Sequence, residues 1–334
     1  MRRKGPPRGV TSTFKCALRG RRLAQLGIRS RYANIRIMRI QLISDLHLEN
    51  YPDFMPCAAP AADLLILAGD VGSYQQGSLL KGDDFGLSRF SPRRPGAEWP
   101  RVFYLPGNHE FDALDYDATY RRLRATCEIL GIEWLERETI IVGTTRFIGT
   151  TLWSDFEALS RLKSTIAEQE KALDKAYRAA NFYLSKNTTL RNGKPMLAED
   201  IRSLAHECQH WLRAALAAPF EGTTVTVTHF APTLDSADPR YGLAPGTAGF
   251  CNALDDLLPL SDIWMHGHLH CANDFVTSGV RDGKPFSCRV VANPRGYPEK
   301  GEDSAFRETF VIELPDGDTR MRAASLPGRP THDT

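Results

Sequence analysis

The chain has 334 residues, 42% hydrophobic and 25% charged, the balance of a globular protein long enough to bury a full core. No run of about 18 apolar residues occurs, which excludes a membrane-spanning helix by the usual length criterion. The formal charge of +2 hides an asymmetry: eleven of the 42 Lys/Arg lie in residues 1–37, which hold no Asp or Glu, and the remaining 31 face 40 acidic residues. A body with a net charge of −9 argues against general affinity for nucleic acid, which rests on basic surface.

The basic leader, residues 1–37, admits three readings: an arm for an anionic partner, an Arg-rich transit peptide, or sequence upstream of the native start. The last is favoured, because Met38-Arg39-Ile40-Gln41 opens directly into an apolar strand. A secretory signal is not expected, since there is no continuous apolar core. The seven cysteines (Cys16, Cys57, Cys127, Cys208, Cys251, Cys271, Cys288) form no Cys-x-x-Cys pair. An odd, dispersed count fits reduced thiols and a cytoplasmic location.

In chain order, Ile35 to Ser44 predicts a strand ending in Asp45-Leu46-His47. Asp63 to Ala68 is a continuous apolar run, as in strands covered on both faces, and stops at Gly69-Asp70. Residues 73–100 read as a long loop with one short helix. A third buried strand, Arg101 to Leu105, leads through Pro106-Gly107 to Asn108-His109-Glu110. Leu114 to Leu130 has helical spacing closed by Gly131. Ile132 to Leu135 and Thr139 to Trp153 predict short β segments ending in a hairpin. Helices are expected from Asp155 to about Lys186 and from about Leu197 to Ala217.

Thr223 to Thr228 is β-branched at nearly every position, hence a strand, and ends in His229. A Pro/Gly loop over 231–249, a short helix over Phe250 to Leu258 and a short strand over Asp262 to Met265 follow. That strand runs into His266-Gly267-His268-Leu269-His270. Phe275 to Ala292 predicts a hairpin around Asp282-Gly283, Thr309 to Leu314 a last strand, and 316–334 a loose tail.

Polar residues thus recur just after strand ends, where sites form in layered α/β proteins. Neutral imidazole is the commonest ligand for transition metals, and three histidines stand in the five residues 266–270. In extended chain His268 and His270 would point to opposite sides, one toward each of two ions. Singly, each stretch is a weak signal: Gly-Asp is usually a turn, and a lone His229 is more often a bonded core residue. Together, Asp45-x-His47, Gly69-Asp70, Gly107-Asn108-His109-Glu110, His229 and Gly267-His268-x-His270 form a pattern with a common chemistry.

In order and wording these five stretches resemble the calcineurin-like metallophosphoesterase superfamily, over roughly Met38 to Gly296. The resemblance implies an α/β fold, a four-layer α/β/β/α sandwich of two mixed sheets. It also implies a domain over 38–315 with residues 155–218 as a helical insertion or cap. By position, Asp45, His47 and His270 would hold one metal ion, Asn108, His229 and His268 a second, and Asp70 would bridge them. The mixed N/O ligands suit two divalent ions among Mn, Fe, Zn or Ni. A hydroxide bridging such ions attacks phosphorus, and His109 by resemblance protonates the leaving oxygen as general acid.

The implied activity is hydrolysis of a small-molecule phosphodiester or phosphomonoester. The alternatives are a metal-dependent nuclease of the same fold and a non-catalytic scaffold, which would be expected to lose ligands. The chain departs from the family at Ser73, where many members carry the second aspartate of Gly-Asp-x-x-Asp, the carboxylate partner of His109. It also lacks the Arg-Gly of the protein Ser/Thr phosphatases. Glu110 and His266 are expected to support the site from beneath. Asn293 and Arg295, in a stretch that recurs among bacterial members, would either meet substrate phosphate or shape their loop. The aromatics of 153–211 (Trp153, Tyr177, Phe182, Tyr183, Trp211) are expected to form their own small core rather than a substrate platform.

Overall fold

The computed structural model describes residues 36–186 and 189–316. Nearly all of the basic leader and the C-terminal tail therefore lie outside the described residues. In chain order the elements are β1 (Arg36–Ile43), β2 (Leu64–Ala68), β3 (Val102–Leu105), α1 (Tyr116–Leu130), β4 (Glu133–Trp134), β5 (Glu138–Val142) and β6 (Thr145–Thr150). There follow α2 (Ile166–Leu184), β7 (Leu190–Arg191), β8 (Lys194–Pro195), α3 (Ala198–Ala217), β9 (Thr223–Thr228), β10 (Ile263–His266), β11 (Asn273–Arg281), β12 (Lys284–Ala292) and β13 (Val311–Asp316). No helix among the described residues is long and apolar enough to cross a membrane.

Two mixed sheets result. The first has the order β13-β1-β2-β3-β4, parallel except for β13 at its edge. The second, β11-β12-β10-β9-β6-β5, has four parallel central strands and an antiparallel strand at each edge. Side chains alternate across a strand, and here both faces are apolar. Ile40, Leu42, Ile66 and Phe103 meet Phe147, Val225, Val227 and Met265 between the sheets. Phe103 and Phe147 pack edge to face at 5.2 Å. On the outer faces, Leu65, Leu67 and Tyr104 share a core with Leu123 and Cys127 of α1, and Ile148 and Trp264 share it with Leu204, Ala205 and Leu212 of α3. This is the four-layer α/β/β/α sandwich expected from the sequence, and burial on both faces explains why its strands read as unbroken apolar runs.

The hairpin β11–β12 turns where expected, with Asp282 and Gly283 at φ 51° and 74°, the backbone a tight two-residue turn demands. Three expectations need correction. Helix α2 starts at Ile166, not Asp155, because Ser154 Oγ and Asp155 Oδ1 capture the amides of Phe156 and Glu157 in tight turns. A Thr165–Glu168 capping box then opens the helix. The helix expected over 250–258 is absent: Cys251 bridges Ala231, the Leu254 amide donates to the Pro232 carbonyl and the Phe250 carbonyl accepts from the Ala231 amide, so the pair that would close the first helical turn is already used. Trp153 packs in the main core with Phe111, Tyr116 and Phe230, while Phe182 and Tyr183 are exposed, so the aromatics of this region form no core of their own.

Candidate metal centre

Each polar stretch follows the carboxyl end of a strand: Asp45 and His47 after β1, Asp70 after β2, Asn108 and His109 after β3, His229 after β9, and His268 and His270 after β10. Backbone bonds clip the loops together. Asp45 N donates to the Gly69 carbonyl (3.0 Å), His47 N to that of Asp70 (3.1 Å), and Gly267 N to that of His229 (3.0 Å). Across the two sheets, His268 N donates to the Asp45 carboxylate at 2.9 Å.

Glu110 ties two of the loops to each other. Its buried carboxylate accepts from the amides of Asp70 (3.2 Å), Val71 (2.7 Å) and Gly107 (2.8 Å). Glu110→Ala should therefore strand three buried donors, each costing roughly 1–3 kcal/mol, and lower stability by about 3 kcal/mol or more in urea unfolding. A loss below about 1 kcal/mol would mean that the loops hold without it.

One ligand atom each from Asp45, His47, Asp70 and His270 lies within 4.8 Å of the others, and the same holds for Asp70, His229 and His268. Asn108 joins the second group, its Oδ1 3.3 Å from His229 Nε2. All seven residues named from the sequence thus meet at one end of the sandwich, with Asp70 common to both groups. Five of them, Asp45, His47, Asp70, His268 and His270, have φ between 48° and 69°, a strained region for non-glycine residues. His268 and His270 do reach different groups, through this left-handed backbone rather than through extended-chain alternation.

The donor chemistry fits cations. Glu49 lies 3.0 Å from His47 Nδ1 and Glu302 2.6 Å from His270 Nδ1. With those nitrogens donating to carboxylates, the two Nε2 atoms, 3.0 Å apart, would face each other as lone pairs in the neutral rings. His229 Nδ1 faces the Ala68 carbonyl at 2.8 Å, an acceptor, so in the neutral ring its Nε2 would also turn a lone pair on Asp70 Oδ2 (3.2 Å) and Asn108. His268 Nε2 is buried without a hydrogen-bond partner. Acceptors crowded on acceptors call for positive charge at their centre.

Charge and burial act strongly on these side chains. Burial pushes Asp70 upward, yet His229 and His109 beside it hold it well below the carboxylate range. Burial opposes a charge on His229, but Asp70 lifts it to about 9. Burial, and after it the neighbouring histidine charges, keep His47 and His268 well below the usual imidazole value.

His109 stands at the rim of the first group, its ring 4.8 Å from that of His47 and its Nδ1 2.7 Å from Asp112 Oδ2. His266 is buried below, its Nδ1 3.0 Å from the Gly267 carbonyl, and burial lowers it to about 4. Asn293 spends its amide on the carbonyls of Leu42 and Arg307 and on the Arg307 amide. Arg295 lies over the rings of Tyr51 and Phe54, at 4.4 and 4.0 Å, and donates to the Leu46 carbonyl.

Five residues escaped the sequence reading. Glu49 and Asp112 carry a local signal, a carboxylate two or three positions beyond a site histidine. Glu302 follows His270 by 32 positions with no pattern to betray it. Tyr297, stacked on His47 at 4.4 Å, and Phe250, 5.1 Å from His268 and 45% exposed, are visible only in three dimensions.

The family model for calcineurin-like phosphoesterases matches residues 38–272. Among solved structures, the crystal structure of phosphopantetheinyl hydrolase from Mycobacterium tuberculosis covers 86% of this chain and 98% of its own, with a TM-score of 0.56 and 22% identity, a likeness of fold. A second solved structure covers 84% of this chain and all of its own, at 11% identity and a TM-score of 0.38, too loose to carry an argument. No curated protein matches the chain.

Proposed function

The chain belongs to the calcineurin-like phosphoesterase family, and from that premise we propose that it hydrolyses small-molecule phosphoesters, diesters or monoesters, with two divalent transition-metal ions. Asp45, His47 and His270 would hold one ion, Asn108, His229 and His268 the other, and Asp70 both. The observation that carries this reading is the sharing of buried Asp70 by two ligand groups. An anion between two cations offsets their repulsion, a requirement that a single-metal or merely structural site would not impose. When bound, such cations supply Lewis acidity, neutralising phosphoryl oxygens and acidifying water. The protein's own share is to fix the ligands through Glu49, Glu302 and Glu110, and to hold a proton on His109 for the departing oxygen.

The test is metal analysis combined with turnover. Purified protein supplied with Mn, Zn, Fe or Ni should bind about two equivalents. It should release product from a bis-aryl phosphodiester, an aryl monoester or a member of a metabolite panel that includes a phosphopantetheinyl ester. Fewer than two bound ions, or no hydrolysis of any ester at full loading, would sink the reading. Competition by DNA or RNA would instead favour the nuclease alternative.

Glu302→Gln probes the supporting carboxylates. It keeps the side chain's size but weakens the pull on His270 Nδ1, and metal affinity should fall by about 10–100-fold. Metal titration followed by calorimetry reads this directly. Unchanged affinity would mean that the Glu302 contact does not tune the ligand.

A further inference from the structure

Ser73 is buried, its hydroxyl accepting from the Gln75 amide, and itself offers His109 no carboxylate. The chain supplies one from another place. Asp112 lies one short turn beyond His109, its side chain only 7% exposed, with Oδ2 2.7 Å from His109 Nδ1. Of the other carboxylates near this ring, Asp70 belongs to the metal groups, and Glu49 lies within 4.8 Å of both His47 and His109 but makes its 3.0 Å contact with His47 Nδ1, so Asp112 is the one at hydrogen-bond distance from His109. His109 Nδ1 is buried although the side chain is 24% exposed, so the exposure falls on other atoms of the side chain.

We propose that Asp112 is the positioning residue for His109: its carboxylate accepts from Nδ1, locks the ring, and leaves Nε2 as the nitrogen that serves the leaving group. This rests on the hydrolase reading above. In the step, hydroxide oxygen bonds to phosphorus as the bond from phosphorus to the ester oxygen breaks. The Nε2 proton passes to that oxygen, so the leaving group departs as a neutral alcohol. His109 becomes neutral imidazole with its Nδ1 proton still on the Asp112 side, and solvent restores the Nε2 proton. Asp112 takes up no proton at any stage. A carboxylate in this place contributes by holding geometry and stabilising imidazolium.

The experiment compares an alkyl phosphoester, whose leaving group needs a proton, with an activated aryl ester, whose leaving group does not. Asp112→Asn should lower kcat for the alkyl ester by on the order of 10²-fold and for the aryl ester by no more than about threefold. His109→Ala should show the same split, and the double variant should be no slower than His109→Ala alone, as for residues acting as a unit. Asp112→Glu should recover part of the alkyl-ester rate. Both rates come from one sample, so their ratio does not depend on how much of the variant is folded. A readout without turnover is proton NMR of the metal-free protein. A downfield imidazole N–H signal should be present in the wild type and missing in both His109→Ala and Asp112→Asn.

Equal slowing of both esters by Asp112→Asn, or a loss that adds to that of His109→Ala, would overturn the role of Asp112 while leaving the hydrolase reading intact. A metal-loaded wild type that hydrolyses neither ester would overturn both.

Discussion

Asp70→Asn is expected to cost about 10³-fold in kcat on an activated aryl phosphoester and to leave the protein with no more than about one bound metal ion. The change is nearly isosteric, so its effect comes from charge. Asp70 is 1% exposed, and its carboxylate touches the His109 amide through Oδ1 (2.9 Å) and His229 Nε2 through Oδ2 (3.2 Å). An asparagine keeps one oxygen but puts a donor nitrogen where two cations need a second anionic oxygen. Metal-ion stabilisation of a phosphoryl transition state amounts to several kcal/mol, and each 1.36 kcal/mol is a factor of ten. Inductively coupled plasma analysis and steady-state kinetics on the same sample decide the matter. A variant that binds two ions and turns over within about tenfold of the wild type would remove Asp70 from the centre of the site.

Folding of the metal-free variant sharpens the interpretation. In the bare protein Asp70 is held by His229, whose proton it retains. Removing one partner of a buried pair costs roughly 3–5 kcal/mol, so Asp70→Asn should also unfold more readily unless His229 gives up its proton. Comparing urea midpoints with and without metal separates lost chemistry from lost fold.

Why some of this was legible in the sequence and some was not follows from distance along the chain. Strand ends announce themselves: Leu64–Ala68 stops at Gly69-Asp70, and Thr223–Thr228 stops at His229, because burial on both faces makes the strands apolar and the polar ligands follow directly after them. Contacts that close over long separations leave no local trace. Glu302 reaches His270 from a loop beyond β12, and Asn252 spends its side chain on Trp153 and Asp155, nearly a hundred positions away. That engagement helps explain why the helix pattern of 250–258 gave way to an irregular path that ends in turns. The left-handed φ values at Asp45, His47, Asp70, His268 and His270 run against local preference as well. Such strain persists only where surrounding bonds over-determine it, as the clips among Gly69, Asp45, Asp70 and His47 do here. Ser73 misled in a different way. It correctly marked a missing carboxylate, but another one, Asp112, lies 2.7 Å from His109 Nδ1.

Gly107→Ala should be as damaging as the loss of a ligand, although Gly107 offers no ligand atom. A Cβ built there would lie 2.1 Å from Asp70 Oδ1, 2.6 Å from His229 Nε2 and 2.7 Å from the Asp70 amide nitrogen. Real Cβ atoms do not approach so closely, so something must move. Neither neighbour is the loose end of a flexible side chain: Asp70 is pinned through Oδ1 by the His109 amide, and His229 through Nδ1 by the Ala68 carbonyl. Gly107 itself is held by its amide on Glu110. The methyl group therefore drives Asp70 and His229 apart, and these are the shared ligand and one ligand of the second group. Displacements near 1 Å at a reacting centre cost about 10²-fold, and overpacking a tight interior costs about 1–3 kcal/mol. We expect kcat/KM to fall by at least about 10²-fold and the urea midpoint to drop accordingly. Gly246→Ala is the matched control: a Cβ there meets nothing within 4 Å and needs no left-handed backbone, so stability should stay within about 0.5 kcal/mol. Wild-type turnover and metal content in Gly107→Ala would mean that the loops after β2, β3 and β9 have slack, and that the close approach of backbone to ligand is not what sets the geometry of the site.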